Sequence, residues 1–443
     1  MNKILRFQEA LDQAIEFIEQ HRDELGKSLA LIRDLYGRFR MVTEVPLQPE
    51  KLEQLSRLFH QILGNFSPQD QSMFLDKETL FDPDAVFSSP DKLEIPGHPG
   101  ICFLDRQIMG QDWLRKPITE VGYHPPRVTF YGIKGGVGRS TALALWAWHL
   151  AGLGKKVLIL DLDLESPGIS QTLLPLPNTP DFGIVDWLVE DLGGQADDSL
   201  LFDMVGHSPF ATSFQGGTIR VVPAAGKKEN DYLAKLSRAY LDVAPADLTT
   251  RLLKMLHQLE KQEKPDVVLL DSRAGIHDIA AIMVTRLNAY ALLFAVNTSQ
   301  TWNAYRLLFQ HWQKWHFANL NSFRNKLKMV ASMLPETRKQ ESLSQFIPSA
   351  YSLFADTLYE QVEASEETEE TEVFNFDENA IEAPHYPLVT HWNRGFQEFN
   401  PVRDDKNAFD EDLIRGNYGK FLRELTTLVI GDSEVVGDNQ DED

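Results

Sequence analysis

The stretch Gly132-Ile133-Lys134-Gly135-Gly136-Val137-Gly138-Arg139-Ser140-Thr141, GIKGGVGRST, decides how the rest of the chain is read. A β-rich run, RVTFYGI, leads into it, and a helical run, STALALWAWHLAGLG, leads out. A glycine-rich turn between strand and helix exposes backbone N–H groups at a helix N-terminus, where they and the helix dipole hold phosphate oxygens. Gly135, Gly136 and Gly138 permit the tight backbone, and Ser140 puts a hydroxyl where a Mg²⁺ ligand is needed. The order departs from the standard phosphate loop, whose first glycine would fall at Ile133. Arg139 stands where lysine is usual, and Lys134 precedes the double glycine.

Outward from this loop, short β-rich runs alternate with helical ones. RVTFYGI, VLILDLD, IRVVPA, DVVLL, AYALLFAV and LKMVASML are interleaved with helical patterns over 140–153 and 248–262. Leu252, Leu256 and Leu259 form the core stripe of the second helix. Such alternation implies an α/β, doubly wound, mostly parallel sheet with helices on both faces.

Two more segments carry chemistry. KKVLILDLDLESPGIS ends a strand at Asp161 and Asp163 and turns through Ser166, Pro167 and Gly168; KPDVVLLDSRAG ends one at Asp271, ahead of Arg273 and Gly275. Carboxylates at strand C-termini beside a phosphate loop can hold Mg²⁺ through water and orient an attacking water. In this order and spacing, 127–335 resembles the deviant Walker A P-loop ATPases of the ParA/MinD group, whose loop runs Lys-Gly-Gly-x-Gly-Lys-Ser/Thr.

The resemblance implies ATP and Mg²⁺ as cofactors and a sandwich homodimer with nucleotide at the interface. It implies phosphate binding by Gly135, Gly136, Val137, Gly138, Arg139, Ser140 and Thr141. Lys134 would reach across the two-fold to the partner subunit's phosphates. Ser140 and Asp271, the Walker B aspartate, would hold Mg²⁺ with Asp161 behind them, Asp163 would orient water, and Gly275 would offer its N–H to the γ-phosphate. Arg273 replaces the proline of many relatives and reads either as a phosphate sensor or as an ordinary surface arginine. No Asn/Thr-Lys-x-Asp guanine-reading sequence is present; the loop with Met333 and Pro335 is open to base contact.

Arginine for lysine at position 139 keeps the charge but exchanges a compact point charge for a planar fork. Phosphate binding should survive this more readily than turnover, giving an ATPase that hydrolyses slowly, as a timer. A non-hydrolysing ATP-bound scaffold and an ATP-dependent biosynthetic ligase stay open as alternatives. An accessory ATPase of a bacterial defence cassette is a reading by resemblance.

The 443-residue chain is 43% hydrophobic and 24% charged, with a net charge of −22 that disfavours nucleic acid and anionic membranes. Its only cysteine, Cys102, excludes an internal disulfide. No apolar run approaches a membrane span and no signal peptide opens the chain, so a cytoplasmic protein with a protein partner is expected. Ile4, Phe7, Leu11, Ala14, Ile18, Leu25, Leu29, Ile32 and Tyr36 are spaced as one long helix, interrupted near His21, and a second helical pattern covers 51–63. The domain reading is a helical N-terminal region over 1–80, a Pro/Gly-rich linker and lead-in over 81–126, the ATPase domain over 127–340 and an extension over 341–443. That extension holds the acidic insertion EASEETEETE and an acidic tail. His311, His385 and His391 lack zinc-ligand spacing and read as structural.

Overall fold

The computed structural model describes residues 5–69, 73–118, 122–211, 216–228, 231–241, 247–361, 373–397, 399–402 and 410–431. The chain divides into two compact units, Met1–Lys116 with Lys314–Phe317, and Pro117–Gln313 with Ala318–Asp443.

In the first unit the helix Phe7–Gln20 buries Ala10, Leu11, Ala14, Ile15, Phe17 and Ile18, one stripe of a 3.6-residue period. The expected continuation of this helix to Tyr36 is corrected by the structure. A short helix ends at Gly26, whose φ of 93° suits glycine, and β1 (Leu29–Arg33) follows. Leu29 and Leu31 enter one core while Ala30 and Ile32 face another, which is the two-residue period of a strand. β2 (Phe39–Thr43), the helix Pro49–Leu63, β3 (Phe74–Asp76), β4 (Leu93–Glu94) and β5 (Ile101–Asp105) complete the unit. The sheet order is β3-β2-β1-β5-β4, with β1 antiparallel to β2 and parallel to β5. The segment read as a linker thus supplies two strands: Ile101 and Phe103 share the core of Leu29 and Leu31, and Arg33 and Asp105 are a buried ion pair across β1 and β5.

Among the described residues the second unit has eight strands: β6 (Arg127–Gly132), β7 (Lys156–Asp161), β8 (Gly206–His207), β9 (Thr218–Val222), β10 (Val267–Asp271), β11 (Tyr290–Ala295), β12 (Leu327–Leu334) and β13 (Leu388–His391). Their order is β13-β12-β11-β6-β10-β7-β9-β8, and only β8 is antiparallel to its neighbour. Val157 and Ile159 of β7 pack on one face with Val128, Phe130 and the helix Arg139–Gly152. Leu158 and Leu160 pack on the other with residues of the helices Ile184–Leu192, Leu248–Glu263 and Asp278–Thr285. Both faces are covered, as a parallel sheet requires.

The C-terminal stretch belongs to this unit rather than extending from it. β13 adds an edge strand beside β12, and the helix Glu411–Ile430 packs its Tyr418, Phe421, Leu422 and Leu425 into the core of the helix Arg139–Gly152. The indole of Trp146 donates to Thr426 Oγ1 at 3.0 Å. This explains why ALALWAWHLA is apolar all round, since its helix is buried on more than one side. The acidic insertion 363–372 and the tail from 432 lie outside the described residues. Among the described residues no helix is long and apolar enough to cross a membrane.

From β6 the chain runs to β7 and β9, returns with β10 into the gap between β6 and β7, and then places β11 on the far side of β6. The C-terminal ends of β6, β10 and β7 are therefore adjacent, with Asp271 in register with both Phe130 and Asp161. Crevices at such strand ends are where open α/β sheets bind ligands.

Candidate functional site

The glycine loop leaves β6 at Gly132, where an added Cβ would stand 3.1 Å from both Val137 Cγ2 and Arg139 Cδ. Gly136 and Gly138 have φ of +70° and +76°, and nothing lies within 4 Å of a Cβ built on Gly136. The loop is fastened from below. Ser332 Oγ donates to the Val137 carbonyl, and Tyr305 Oη receives the Ile133 N–H at 3.4 Å while donating to the Phe294 carbonyl at 2.9 Å. Its outer side, Lys134, Gly135 and Gly136, is exposed. The helix Arg139–Gly152 starts at Gly138 without a side-chain cap, which leaves the first-turn N–H groups for an anion.

Three acids gather behind the loop. Ser140 Oγ donates to Asp271 at 2.9 Å to Oδ2. Asp161 accepts from the N–H and hydroxyl of Ser170 at 3.1 and 2.6 Å on Oδ2, while its Oδ1 is buried without a hydrogen-bond partner. Asp163 Oδ1 is likewise buried and unpartnered. Arg139, itself buried, donates Nη1 to the Ser272 carbonyl at the end of β10. Thr141, also expected at the phosphates, lies half-buried in the first turn of the helix.

Burial pushes Asp271 up to about 7, with the charge of Asp161 adding to the effect and Arg139 opposing it. Asp161 is pushed up to about 6 by burial, against its two bonds from Ser170. Asp163 is raised by burial, and the charges of Arg139 and Arg273 oppose this. Because each folded-state value exceeds the ordinary 3.8, the stability these groups provide is present at acid pH and lost as pH rises through about 6 to 7. Asp271→Asn should therefore stabilise the ligand-free protein near neutrality and above by on the order of 2 kcal/mol, and do little at about pH 4. Thermal melts at the two pH values check this; equal melting temperatures for wild type and variant above neutrality would overturn it.

The second loop is tied to the first. Gly275, with φ of +91°, donates its N–H to the Gly132 carbonyl at 3.2 Å, so the donor expected to face a phosphate is engaged within the protein in this structure. Arg273 Nη1 lies 2.6 Å from Glu165 Oε1 rather than free at the surface. On the other flank Met333, at φ 57°, brings its Cγ to 3.8 Å from a Cβ built on Gly138, and Tyr418 Oη comes to 3.9 Å. Thr390 Oγ1 receives the Met333 N–H at 3.3 Å, and Pro335 follows β12 directly.

Sequence reasoning missed Glu165, Ser170, Ser332, Thr390 and Tyr418. Ser332, Thr390 and Tyr418 make contacts from distant positions in the chain, and no local spacing signals them. Glu165 and Ser170 lie within the quoted DLDLESPGIS and were the two open to notice. His385 is structural, bonded to the Tyr359 hydroxyl and, at 2.9 Å, to the Glu378 carbonyl.

No protein-family model matches the chain. The antiactivator FleN of Pseudomonas aeruginosa is 25% identical over 241 residues, 54% of this chain and 73% of that protein. This chain is similar to FleN. The FleN match leaves nearly half of the present chain without a counterpart in that comparison. Among solved structures, pNOB8 ParA bound to nonspecific DNA has a TM-score of 0.42 at 17% identity, covering 70% of this chain and 100% of that one. The Cyanothece McdA–ATP complex scores 0.42 at 14% identity, covering 70% and 98%. A Borrelia burgdorferi plasmid partition protein bound to AMPPNP scores 0.42 at 15%, covering 69% and 100%.

Proposed function

We propose that the protein is a Mg-ATP-binding, slowly hydrolysing, dimerising switch that regulates a protein partner. The observation that carries this reading is the meeting of a positive-φ glycine loop, an uncapped helix N-terminus and the Ser140–Asp271 pair at the ends of adjoining parallel strands. The residues present fit the cofactor. The loop leaves open space over Gly136, and Asp161 and Asp163 each keep a buried carboxylate oxygen without a partner.

Ser140 and Asp271 would hold Mg²⁺ with Asp161 behind them, and phosphate oxygens and waters would supply its remaining ligands. When bound, Mg²⁺ neutralises charge that develops on the phosphate oxygens. Among the described residues no group of three His, Cys, Asp or Glu is arranged to hold a metal, so the ion would depend on the phosphates it arrives with. Lys134, exposed on the loop, would reach the phosphates of a second copy; Arg139 would bind phosphate with the donors left free by Ser272. The net charge of −22 favours a protein partner over nucleic acid, and the name of FleN, an antiactivator, is in line with that. A non-hydrolysing scaffold is the second reading, supported by the engaged N–H of Gly275.

Arg139→Lys separates the two. For a switch slowed by its arginine, single-turnover cleavage of Mg-ATP should rise about tenfold or more, within the range a well-placed cation contributes to phosphoryl transfer. Mass measured in parallel should move to that of a dimer on adding Mg-ATP. A variant and wild type that both bind the nucleotide, and neither cleave it nor dimerise, would replace the switch by the scaffold.

A further inference from the structure

Glu165 lies two residues beyond Asp163, and Arg273 two residues beyond Asp271. Glu165 Oε1 collects three partners: Arg273 Nη1 at 2.6 Å, the Tyr240 hydroxyl at 2.5 Å and His277 Nε2 at 3.3 Å. The neighbouring Leu164 carbonyl accepts from the Tyr232 hydroxyl at 2.6 Å. The rings of Tyr240 and His277 meet edge to face, with centroids 5.4 Å apart. Three chain segments thus converge on one carboxylate: the loop after β7, the loop after β10, and the helix Tyr232–Ala239 with its C-cap residue Tyr240. The other oxygen, Oε2, is buried without a partner. Arg273 also acts on Asp163, since its charge favours the ionised carboxylate there, while the charge of Glu165 opposes it.

We propose that Glu165 and Arg273 form a brace between the two loops that positions the Asp163 carboxylate for nucleotide cleavage. Both are positioning residues, and the proposal rests on the function proposed above. An isolated half-exposed ion pair contributes little to stability. This one matters through geometry, because it links the residue after next to each of two acids that must stand in a fixed relation to one phosphate. It also accounts for arginine at a position where the rest of the DSRAG motif would not require one. With Arg273 held on Glu165, the loop that carries Asp163 is tied to the loop that follows Asp271.

The test uses the full chain and compares wild type with Arg273→Ala, Arg273→Lys and Glu165→Gln. Single-turnover cleavage of saturating Mg-ATP is read separately from affinity for a fluorescent ATP analogue. Arg273→Ala and Glu165→Gln should lower the cleavage rate about ten- to a hundredfold, the scale of a small misplacement of a reacting group. Affinity should stay within about threefold, and Arg273→Lys should recover most of the rate. If wild type cleaves and the variants match it, or if rate and affinity fall together, or if lysine gives no recovery, the brace is overturned and the proposed function stands. A wild type that fails to bind or cleave Mg-ATP overturns the proposed function and the brace with it.

Discussion

Asp163→Ala should bind Mg-ATP with little change and cleave it about a thousandfold more slowly, the scale of losing a positioned acid–base group. Asp163 follows β7 by two residues and keeps a buried carboxylate oxygen that no protein group satisfies, so the acceptor is available to a water. It is not part of the glycine loop or of the Ser140–Asp271 pair, and these should go on holding the phosphates. Its removal also relieves a cost. Burial raises its proton affinity, which means that the ionised form is disfavoured in the fold. The variant should therefore melt no earlier than wild type at neutral pH, and that control separates lost chemistry from lost structure. Cleavage by the variant within about tenfold of wild type would remove Asp163 from the mechanism.

Glu260→Gln should be among the most damaging single changes to stability, costing about 3–5 kcal/mol. Arg127 opens the strand that carries the glycine loop, and its side chain is fully buried. Its Nε and Nη2 meet the two oxygens of Glu260 at 2.7 and 2.9 Å, and Nη1 donates to the Leu287 carbonyl at 2.9 Å. Removing the carboxylate charge takes away the paired bonds that Glu260 gives a guanidinium in a region water cannot reach. Arg127→Met combined with Glu260→Leu should recover much of the loss, because a buried pair replaced by packed apolar groups is often close to neutral. Urea denaturation of the single and double variants measures both. A Glu260→Gln cost under about 1 kcal/mol would show that the arginine finds water or another acceptor.

The main sheet was readable in the sequence because its strands are apolar runs of strand length, separated by helices with a clear period. Their order in space was not legible, because it is set by pairing between strands far apart in the chain. The first unit was misread at Leu29–Arg33 because Leu25, Leu29, Ile32 and Tyr36 satisfy helical spacing while LALI equally satisfies a buried strand. Periodicity alone does not separate the two. Gly26 is the local signal that ends the helix. Ile101–Asp105 was hidden among prolines and glycines, whose turn signals bound the strand at both ends. At the site, the loop and the three acids were found because they are contiguous motifs. Glu165 with Tyr240, and Gly138 with Met333 and Tyr418, depend on contacts between residues far apart in the chain, and spacing carries no information about those.

The pairing of Trp146 with Thr426 has a consequence for how the protein is made. Trp146, in the helix Arg139–Gly152, emerges from the ribosome 280 residues before Thr426 of the helix that covers it. At ordinary elongation rates of roughly 5–20 residues per second, that interval is on the order of half a minute. Throughout it a bulky indole and the apolar side chains around it lack their covering wall. During synthesis the nascent chain would need shelter by chaperones at this helix until the helix Glu411–Ile430 had docked.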